Sequence, residues 1–171
     1  VVDLKKNELI ETIRVGSNPV QMTLYGGKGY VVNKMSSDMT VIDLETQKVI
    51  KTLLVGGVPS RMGVYQGKGF VVDWKNNLIL VLDFEEDSIL KRIKVASCPH
   101  KLFFYKDKGY LTHCGSPLIT IIDLKAQRTE GYIENKANIG DVIQHRHYLY
   151  VRSYASNRVD VYNFESDHLV A

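Results

Sequence analysis

Two thiols and two imidazoles are the residues of this sequence best suited to chemistry. They lie in the segments Cys98-Pro99-His100 and His113-Cys114. If the first segment begins one strand and the second ends its antiparallel partner, the four side chains fall within about one residue of register. Such a group could ligate zinc tetrahedrally, or Cys98 and Cys114 could form a disulfide in an oxidising compartment. Strand alternation sends neighbouring side chains to opposite faces, so two free thiols are the favoured hypothesis.

The rest of the sequence contains no catalytic signature. No serine lies in a nucleophile-elbow context. The segment Gly26-Gly27-Lys28-Gly29 precedes no helix, so we expect a hairpin turn there rather than a phosphate loop. Asp3, Asp43, Asp83 and Asp123 recur at equal spacing, which is typical of an acid that accepts hydrogen bonds from a turn backbone. We therefore predict that the protein is not an enzyme and has no catalytic residues, cofactor or metal.

A repeat that fills the whole sequence positions these residues. Val41-Ile42-Asp43-Leu44 recurs as Val81-Leu82-Asp83-Phe84 and as Ile121-Ile122-Asp123-Leu124, with a period of forty residues. A fixed period of this size is typical of repeat architectures, in which units stack to bury their apolar faces. The prediction is a single partial domain over residues 1–171, with repeats at 1–40, 41–80, 81–120 and 121–160 and the start of a fifth at 161–171.

Each repeat is predicted to form four short strands. In the second copy, strand-like segments cover 41–44, 49–55, 59–65 and 70–72, with polar or glycine-containing turns between them. No segment has the 3.6-residue period of a helix. Four antiparallel strands in forty residues is the layout of a β-propeller blade. We therefore predict an all-β fold, a β-propeller built of four-stranded antiparallel blades.

The segment Tyr30-Val31-Val32-Asn33, followed by 39–44 and 49–56, resembles the YVTN β-propeller repeat of surface-layer and extracytoplasmic proteins. The resemblance implies a ring that most often has seven blades, a location in the periplasm or at the cell surface, and a role in binding or surface assembly. Some relatives are surface lipoproteins that capture nutrients such as corrinoids. Others are heavy chains of periplasmic amine dehydrogenases, whose cofactor lies on a partner subunit. Propellers host unrelated activities, so the resemblance is specific for the fold and weak for function.

The order of the strands predicts that this chain does not close a ring. In the phase of the family, it opens with the third and fourth strands of one blade. Three complete blades follow from about residue 18 to 136, and the last stretch supplies at least three more strands. A four-bladed ring is disfavoured because Val1–Leu4 and Val161–Phe164 would compete for one place. We predict part of a larger ring of seven or eight blades; the alternative is a homodimer in which two chains complete one ring.

Variable polar residues mark a candidate binding site. In propellers, the loop that enters the first strand and the loop that leaves the second lie on one rim around the central channel. At these positions the chain carries cations, imidazoles and aromatic rings, which suit a small ligand or a peptide. The predicted ligand-binding residues are Lys34, Arg61, Asp73, Trp74, His100, Lys101, His113 and Tyr154. A variable solvated rim without a ligand is the alternative, with equal weight.

Bulk composition narrows the classes of partner. The formal net charge is +3, and the basic residues are interleaved with acids, so no nucleic-acid surface is predicted. No apolar run reaches the ~18 residues that cross a bilayer, so any membrane attachment would lie outside this sequence. We predict an extracytoplasmic scaffold that binds a protein partner or a small-molecule ligand over the rim. The alternatives are a corrinoid-type nutrient-capture lipoprotein and the propeller subunit of an oxidoreductase with its catalytic centre on a partner.

Overall fold

The described part of the chain consists of strands and short turns. The structure is a computed structural model that describes residues 1–154, 156–165 and 168–169, and these residues form 18 strands. They contain no helix with the length and hydropathy needed to cross a membrane. The predicted all-β class is therefore confirmed.

The strands form one hairpin and four four-stranded sheets, which we call blades 1 to 4. The hairpin consists of β1 (Val2–Asp3) and β2 (Glu8–Leu9). Blade 1 consists of β3 (Pro19–Tyr25), β4 (Lys28–Asn33), β5 (Asp38–Asp43) and β6 (Lys48–Leu54). Blade 2 consists of β7 (Pro59–Tyr65), β8 (Lys68–Asp73), β9 (Leu78–Asp83) and β10 (Ser88–Lys94). Blade 3 consists of β11 (Pro99–Tyr105), β12 (Lys108–His113), β13 (Leu118–Asp123) and β14 (Arg128–Glu134). Blade 4 consists of β15 (Ile139–His145), β16 (Tyr148–Ser153), β17 (Val159–Asn163) and β18 (His168–Leu169).

Each blade is an antiparallel meander in which strands pair in chain order. The four segments predicted in the second repeat coincide with β5 to β8, the first two extending one residue past the strand end, so the strand prediction is confirmed. The predicted phase is confirmed as well, because a two-stranded hairpin precedes three complete blades. Each sheet therefore begins near position 19 of the repeat rather than at its first residue.

The turns between the third and fourth strands repeat one backbone conformation. Gln47 and Gln127, at equivalent positions, have φ angles of 58° and 52°. The aspartate at the start of each turn accepts hydrogen bonds from its backbone, as Asp43 does from the Thr46 N–H at 2.7 Å. Bonds from Thr46 are the largest cause that lowers the pKa of Asp43. The prediction that the recurring aspartate serves the turn is confirmed.

The blades stack on each other through their first two strands. Tyr30, Phe70 and Tyr110 occupy the same place in blades 1, 2 and 3, and each is 0% exposed. Burying one such side chain contributes roughly 1.5–3 kcal/mol. Phe104 of blade 3 reaches so close to blade 2 that the facing residue must be glycine, because a Cβ on Gly63 would lie 2.0 Å from the ring.

Blades 1 and 4 each keep one face largely exposed. Met22 of blade 1 is 49% exposed, whereas its equivalent Met62 in blade 2 is 5% exposed. Tyr150 of blade 4 is 37% exposed, whereas its equivalent Tyr110 is 0% exposed. The residue types are the same, so the difference lies in the neighbouring blade. The four blades form an arc with two apolar end faces.

Candidate functional site

The candidate site lies along one edge of the arc, which we call the upper rim. It is formed by loops that follow the second and fourth strands of each blade, such as 74–77 and 95–98. Antiparallel pairing brings the start of a first strand beside the end of a second strand, and in blade 3 Pro99 pairs with His113. The equivalent prolines of blades 1 and 2 pair in the same way. The predicted register of the cysteine and histidine segments is therefore confirmed.

A groove on the upper rim brings together side chains from three blades. It encloses about 400 Å³ and is lined by Lys34 of blade 1, Arg61 and Trp74 of blade 2, and His100 and Cys114 of blade 3. We call it the rim groove. Four of the eight predicted ligand-binding residues lie in it.

A smaller cavity continues from the rim groove toward blade 4. It measures about 90 Å³ and is lined by His100, Lys101, His113 and Tyr154, among others. The Arg152 guanidinium lies 5.4 Å from the centre of the Tyr154 ring, within the range of a cation–π contact. Tyr154 thus stands at the far end of the same polar surface, in contact with a cation of its own blade.

Trp74 is held in place by a contact across a blade boundary. Its indole Nε1–H donates to the Sγ atom of Cys98 at 3.0 Å, and its backbone N–H donates to the Val58 carbonyl at 3.1 Å. The side chain is nevertheless 48% exposed. A fixed, half-exposed indole offers a flat apolar surface at little entropic cost to a ligand.

Cys98 and Cys114 are free thiols in the structure. They are close neighbours, since the Cys114 N–H donates to the Cys98 carbonyl at 2.8 Å. Burial, followed by the hydrogen bond and charge of Cys98, raises the pKa of the Cys114 thiol. Cys114 is therefore a poor thiolate nucleophile at neutral pH. The described residues contain no group of three or more metal-ligating side chains.

Asp73, a predicted ligand-binding residue, points into blade 2. It is 0% exposed, and its carboxylate accepts from the Val58 N–H at 3.0 Å and from the Asn76 side-chain amide at 2.8 Å. These donors hold the loops at 55–58 and 74–77 together. Asp73 therefore shapes the floor behind the rim groove and is not available to a ligand in this structure.

His113, a second predicted ligand-binding residue, is also buried, at 1% exposure. Its Nδ1–H donates to the Ser97 carbonyl at 2.9 Å, so its Nε2 accepts from the Thr120 hydroxyl at 2.8 Å. Both ring nitrogens are thus occupied, which leaves none for a zinc ion. Burial lowers the pKa of His113, against the opposing effect of the Ser97 and Ala96 carbonyls. The uncharged ring joins the blade 3 loops, as Asp73 does in blade 2.

Lys101 forms an ion pair along the inner wall of the arc. Its Nζ lies 2.5 Å from Oδ1 of Asp141 in blade 4. The hydrogen bond from Lys101 is the largest cause that lowers the pKa of Asp141. Lys101 and Asp141 lie forty residues apart, so this bridge joins equivalent positions of two blades. The predicted rim cation is therefore partly neutralised.

His100 stands between the rim groove and the smaller cavity. Burial lowers its pKa first, and the positive charges of Lys101 and Arg61 lower it further, while Asp141 opposes them. The ring is therefore uncharged at neutral pH and can both donate and accept a hydrogen bond. Lys101 and Arg61 thus stand close enough to His100 to act on it electrostatically.

The structure adds residues that the sequence interpretation did not select. Val20 and Ser60, which occupy the same position of the repeat as His100, line the rim groove. That shared position was the available signal. The ion pair of Asp141 with Lys101 could also have been predicted. The two residues lie forty positions apart, so they occupy equivalent places in adjacent blades. The side chains of Val20 and Ser60, however, are small and uncharged, so their residue types alone do not indicate a binding site.

No family model matches the chain, and no curated protein matches its sequence. Solved structures do match. Kuenenia stuttgartiensis hydrazine synthase aligns with a TM-score of 0.78 at 20% identity, over 96% of this chain and 52% of that chain. Dihydro-heme d1 dehydrogenase NirN in complex with DHE aligns with a TM-score of 0.78 at 13% identity, over 93% of this chain and 38% of that chain. Both are propeller proteins. The fold is a β-propeller.

The computationally designed Ika8 protein is a third similar structure, with a TM-score of 0.72 at 9% identity over 91% of this chain and 48% of that chain. The chain spans about half or less of the length of these three structures. At such identities the likeness concerns the arrangement of the blades alone. The resemblance to the YVTN repeat stays a prediction.

Proposed function

We propose that this β-propeller is a non-enzymatic binding module whose small-molecule ligand lies in the rim groove. One observation carries the proposal: Lys34, Arg61, Trp74 and His100, from three separate blades, line one groove of about 400 Å³. Volumes of this size hold small organic ligands. The loops that line the groove are short and join paired strands, so a rigid scaffold holds them.

The chemistry of the groove supports binding over catalysis. A nucleophile needs an adjacent base and a suitable pKa. The pKa of Cys114 is raised, and the His113 nitrogens are both occupied within blade 3. Among the described residues, His100 makes no hydrogen bond to a nucleophilic side chain. A site of this kind can hold a ligand but lacks a prepared reacting pair.

We place the module outside the cytoplasm, in the periplasm or at the cell surface. This part of the proposal rests on the resemblance of the repeats to the YVTN family. An experiment that fuses the protein, expressed from its own gene, to a reporter active only outside the cytoplasm tests it. A reporter that is active only inside the cell would contradict this location.

A thermal-melting screen with small molecules tests the binding proposal. A ligand that binds the native state alone raises the melting temperature. We expect at least one compound to do so for the wild-type chain and to lose that effect in Trp74→Ala. Tyr132→Ala is the matched control, because Tyr132 is a half-exposed aromatic on the outer strand β14, at 56% exposure. Compounds that raise the melting temperature of Trp74→Ala as much as that of wild type would show that the site lies outside the groove.

A second candidate function is the propeller part of an oxidoreductase whose catalytic centre lies on a partner. The names of two similar structures, hydrazine synthase and dihydro-heme d1 dehydrogenase, are the observation that favours it. Purification of the protein from its own cells distinguishes the two functions. A stoichiometric partner with a bound redox cofactor supports the second candidate, whereas a nutrient-sized ligand without such a partner supports the first.

A further inference from the structure

Two cations in the rim groove have no partner among the described residues. Lys34 and Arg61 are both exposed and both line the groove. Neither forms an ion pair or a side-chain hydrogen bond with a described residue. A guanidinium presents donors in a planar fork that matches a carboxylate or a phosphate, and an ammonium adds a compact charge. Two such groups that converge on one volume favour an anionic ligand.

The acidic side chains near the rim are already engaged elsewhere. Asp141 is paired with Lys101 at 2.5 Å. Asp73 is buried and accepts from backbone and amide donors of its own blade. Asp38, beside the loop that carries Lys34, is 8% exposed and accepts from the Asn33 amide at 2.7 Å. These carboxylates have donors of their own, so the charges of Lys34 and Arg61 remain for a ligand.

His100 adds hydrogen-bonding capacity without a further charge. Its pKa is lowered by burial and by the cations Lys101 and Arg61, and only Asp141 opposes them. Lys101 and Arg61 are thus the charges nearest to this imidazole that would favour an anion. The uncharged ring can donate to an anion oxygen.

Trp74 makes the groove different from a simple cation patch. Its indole N–H bonds to Cys98, and the ring shares the groove with Lys34, Arg61 and His100. A planar apolar group can lie against an indole while an attached anion reaches the cations. An inorganic anion would use the cations alone and leave the indole uncovered.

We propose that the rim groove binds a small planar organic anion, whose carboxylate or phosphate group contacts Arg61 and Lys34 and whose apolar plane lies on Trp74. This inference rests on the proposed function and names the chemical class of its ligand. It requires no reaction at the site.

The single tryptophan of the chain reports directly on this groove, because Trp74 is the one Trp in the sequence. The experiment titrates the wild-type chain with three probes and follows Trp74 fluorescence. Phenyl phosphate carries a ring and a phosphate, inorganic phosphate carries the charge alone, and benzamide carries a neutral ring. We expect phenyl phosphate to half-saturate at a concentration at least about tenfold below either of the other two. It alone combines charged hydrogen bonds, which benzamide lacks, with an aromatic contact to the indole, which inorganic phosphate lacks.

Charge-removing variants test the residues. Arg61→Gln and Lys34→Gln should each weaken phenyl phosphate binding by about tenfold, and added salt should weaken wild-type binding. Arg92→Gln is the matched control, because Arg92 is an exposed cation on the outer strand β10, away from the groove. Its binding should equal wild type. Melting curves of all variants show whether they retain the fold.

The outcomes separate the two proposals. If benzamide binds as tightly as phenyl phosphate and Arg61→Gln has no effect, the anion inference is overturned while groove binding stands. If inorganic phosphate equals phenyl phosphate, the planar part of the inference is wrong. If no probe changes the fluorescence and the melting screen finds no compound that depends on Trp74, the proposed function fails with it.

Discussion

Gln21 of blade 1 and Met62 of blade 2 exchange two hydrogen bonds across the blade boundary. The Gln21 Nε2–H donates to the Met62 carbonyl at 2.8 Å, and the Met62 N–H donates to the Gln21 Oε1 at 2.9 Å. One side-chain amide thus satisfies both backbone groups of a residue in the next blade. These two bonds link the sheets of blades 1 and 2, which otherwise contact each other through side chains, and they satisfy backbone groups that would lack a partner.

Replacing Gln21 by Ala should lower the free energy of unfolding by about 1–3 kcal/mol, because the N–H and C=O of a half-buried backbone lose their partners. Gln21→Glu keeps the acceptor for the Met62 N–H but sets a carboxylate oxygen against the Met62 carbonyl, so it should destabilise the chain as well. Urea unfolding followed by circular dichroism measures both. Equal stability of Gln21→Ala and wild type would show that water replaces the amide without cost.

Acid should weaken the fold through His113. Burial holds its native-state pKa below the ordinary 6.5, so the unfolded chain binds more protons as the pH falls through that value. The contribution of the uncharged ring to stability is complete above pH 6.5 and decreases as the pH falls toward the native pKa. Urea unfolding between pH 7.5 and about 5 should show this decrease.

The variant His113→Asn provides the control for that decrease. Blade 1 carries Asn33 at the equivalent position, where its amide donates to the Thr40 hydroxyl at 2.8 Å, and Thr120 is the equivalent of Thr40. An asparagine at 113 can therefore bond Thr120 without titrating. We expect a lower stability at pH 7.5 and a flatter profile toward pH 5. An unchanged slope would assign the pH dependence to another group.

The thiols should both react in the protein purified without reductant. Cys98 and Cys114 are free, so mass spectrometry after treatment with iodoacetamide should find two adducts per chain. The raised pKa of Cys114 predicts that its alkylation is slower than that of a cysteine with an ordinary pKa at pH 7.5 and accelerates as the pH rises. A bridged peptide containing both residues would instead support the disulfide hypothesis.

The end faces of the arc should cause association. Met22 and Leu24 of blade 1 are 49% and 63% exposed, and apolar faces of this kind usually mark contacts. Light scattering of the wild-type chain should show a mass that rises with concentration. Met22→Lys with Leu24→Lys should shift it toward the monomer, whereas Leu90→Lys, at an exposed apolar position on β10, should not. A concentration-independent monomer would remove the case for a homodimer that completes a ring.

The fold could be predicted from the sequence because the same pattern of strands and turns recurs four times. Strand bounds, turn aspartates and the phase of the blades all depend on local patterns that recur every forty residues. The roles of residues were harder to predict at repeat positions where the blades carry different residue types. Gln21, Arg61 and Lys101 occupy one such position, in the first strand of each blade. Gln21 binds the Met62 backbone, Arg61 has no partner among the described residues, and Lys101 pairs with Asp141. What each does depends on the residue facing it in the next blade.

The last residue of each second strand shows why site residues are harder to predict than strands. Asp73 and His113 end the second strands of their blades, where polar residues are typical of ligand contacts. They are buried instead, because the loop that precedes each first strand folds over them and supplies a partner, Val58 for Asp73 and Ser97 for His113. A single sequence reveals which residue ends a strand but not whether the next loop covers it.

The two open end faces also determine how the arc comes apart. Among the described residues, blades 2 and 3 each pack between two complete blades, while blades 1 and 4 each pack against one. The loss of an end blade breaks one boundary and leaves the others intact, since each boundary joins adjacent blades alone. The outermost sheets can therefore fray independently while the middle pair persists. The rim groove spans both kinds of sheet, with Lys34 on an end blade and Trp74 on an inner one, so its local stability is that of its weaker side.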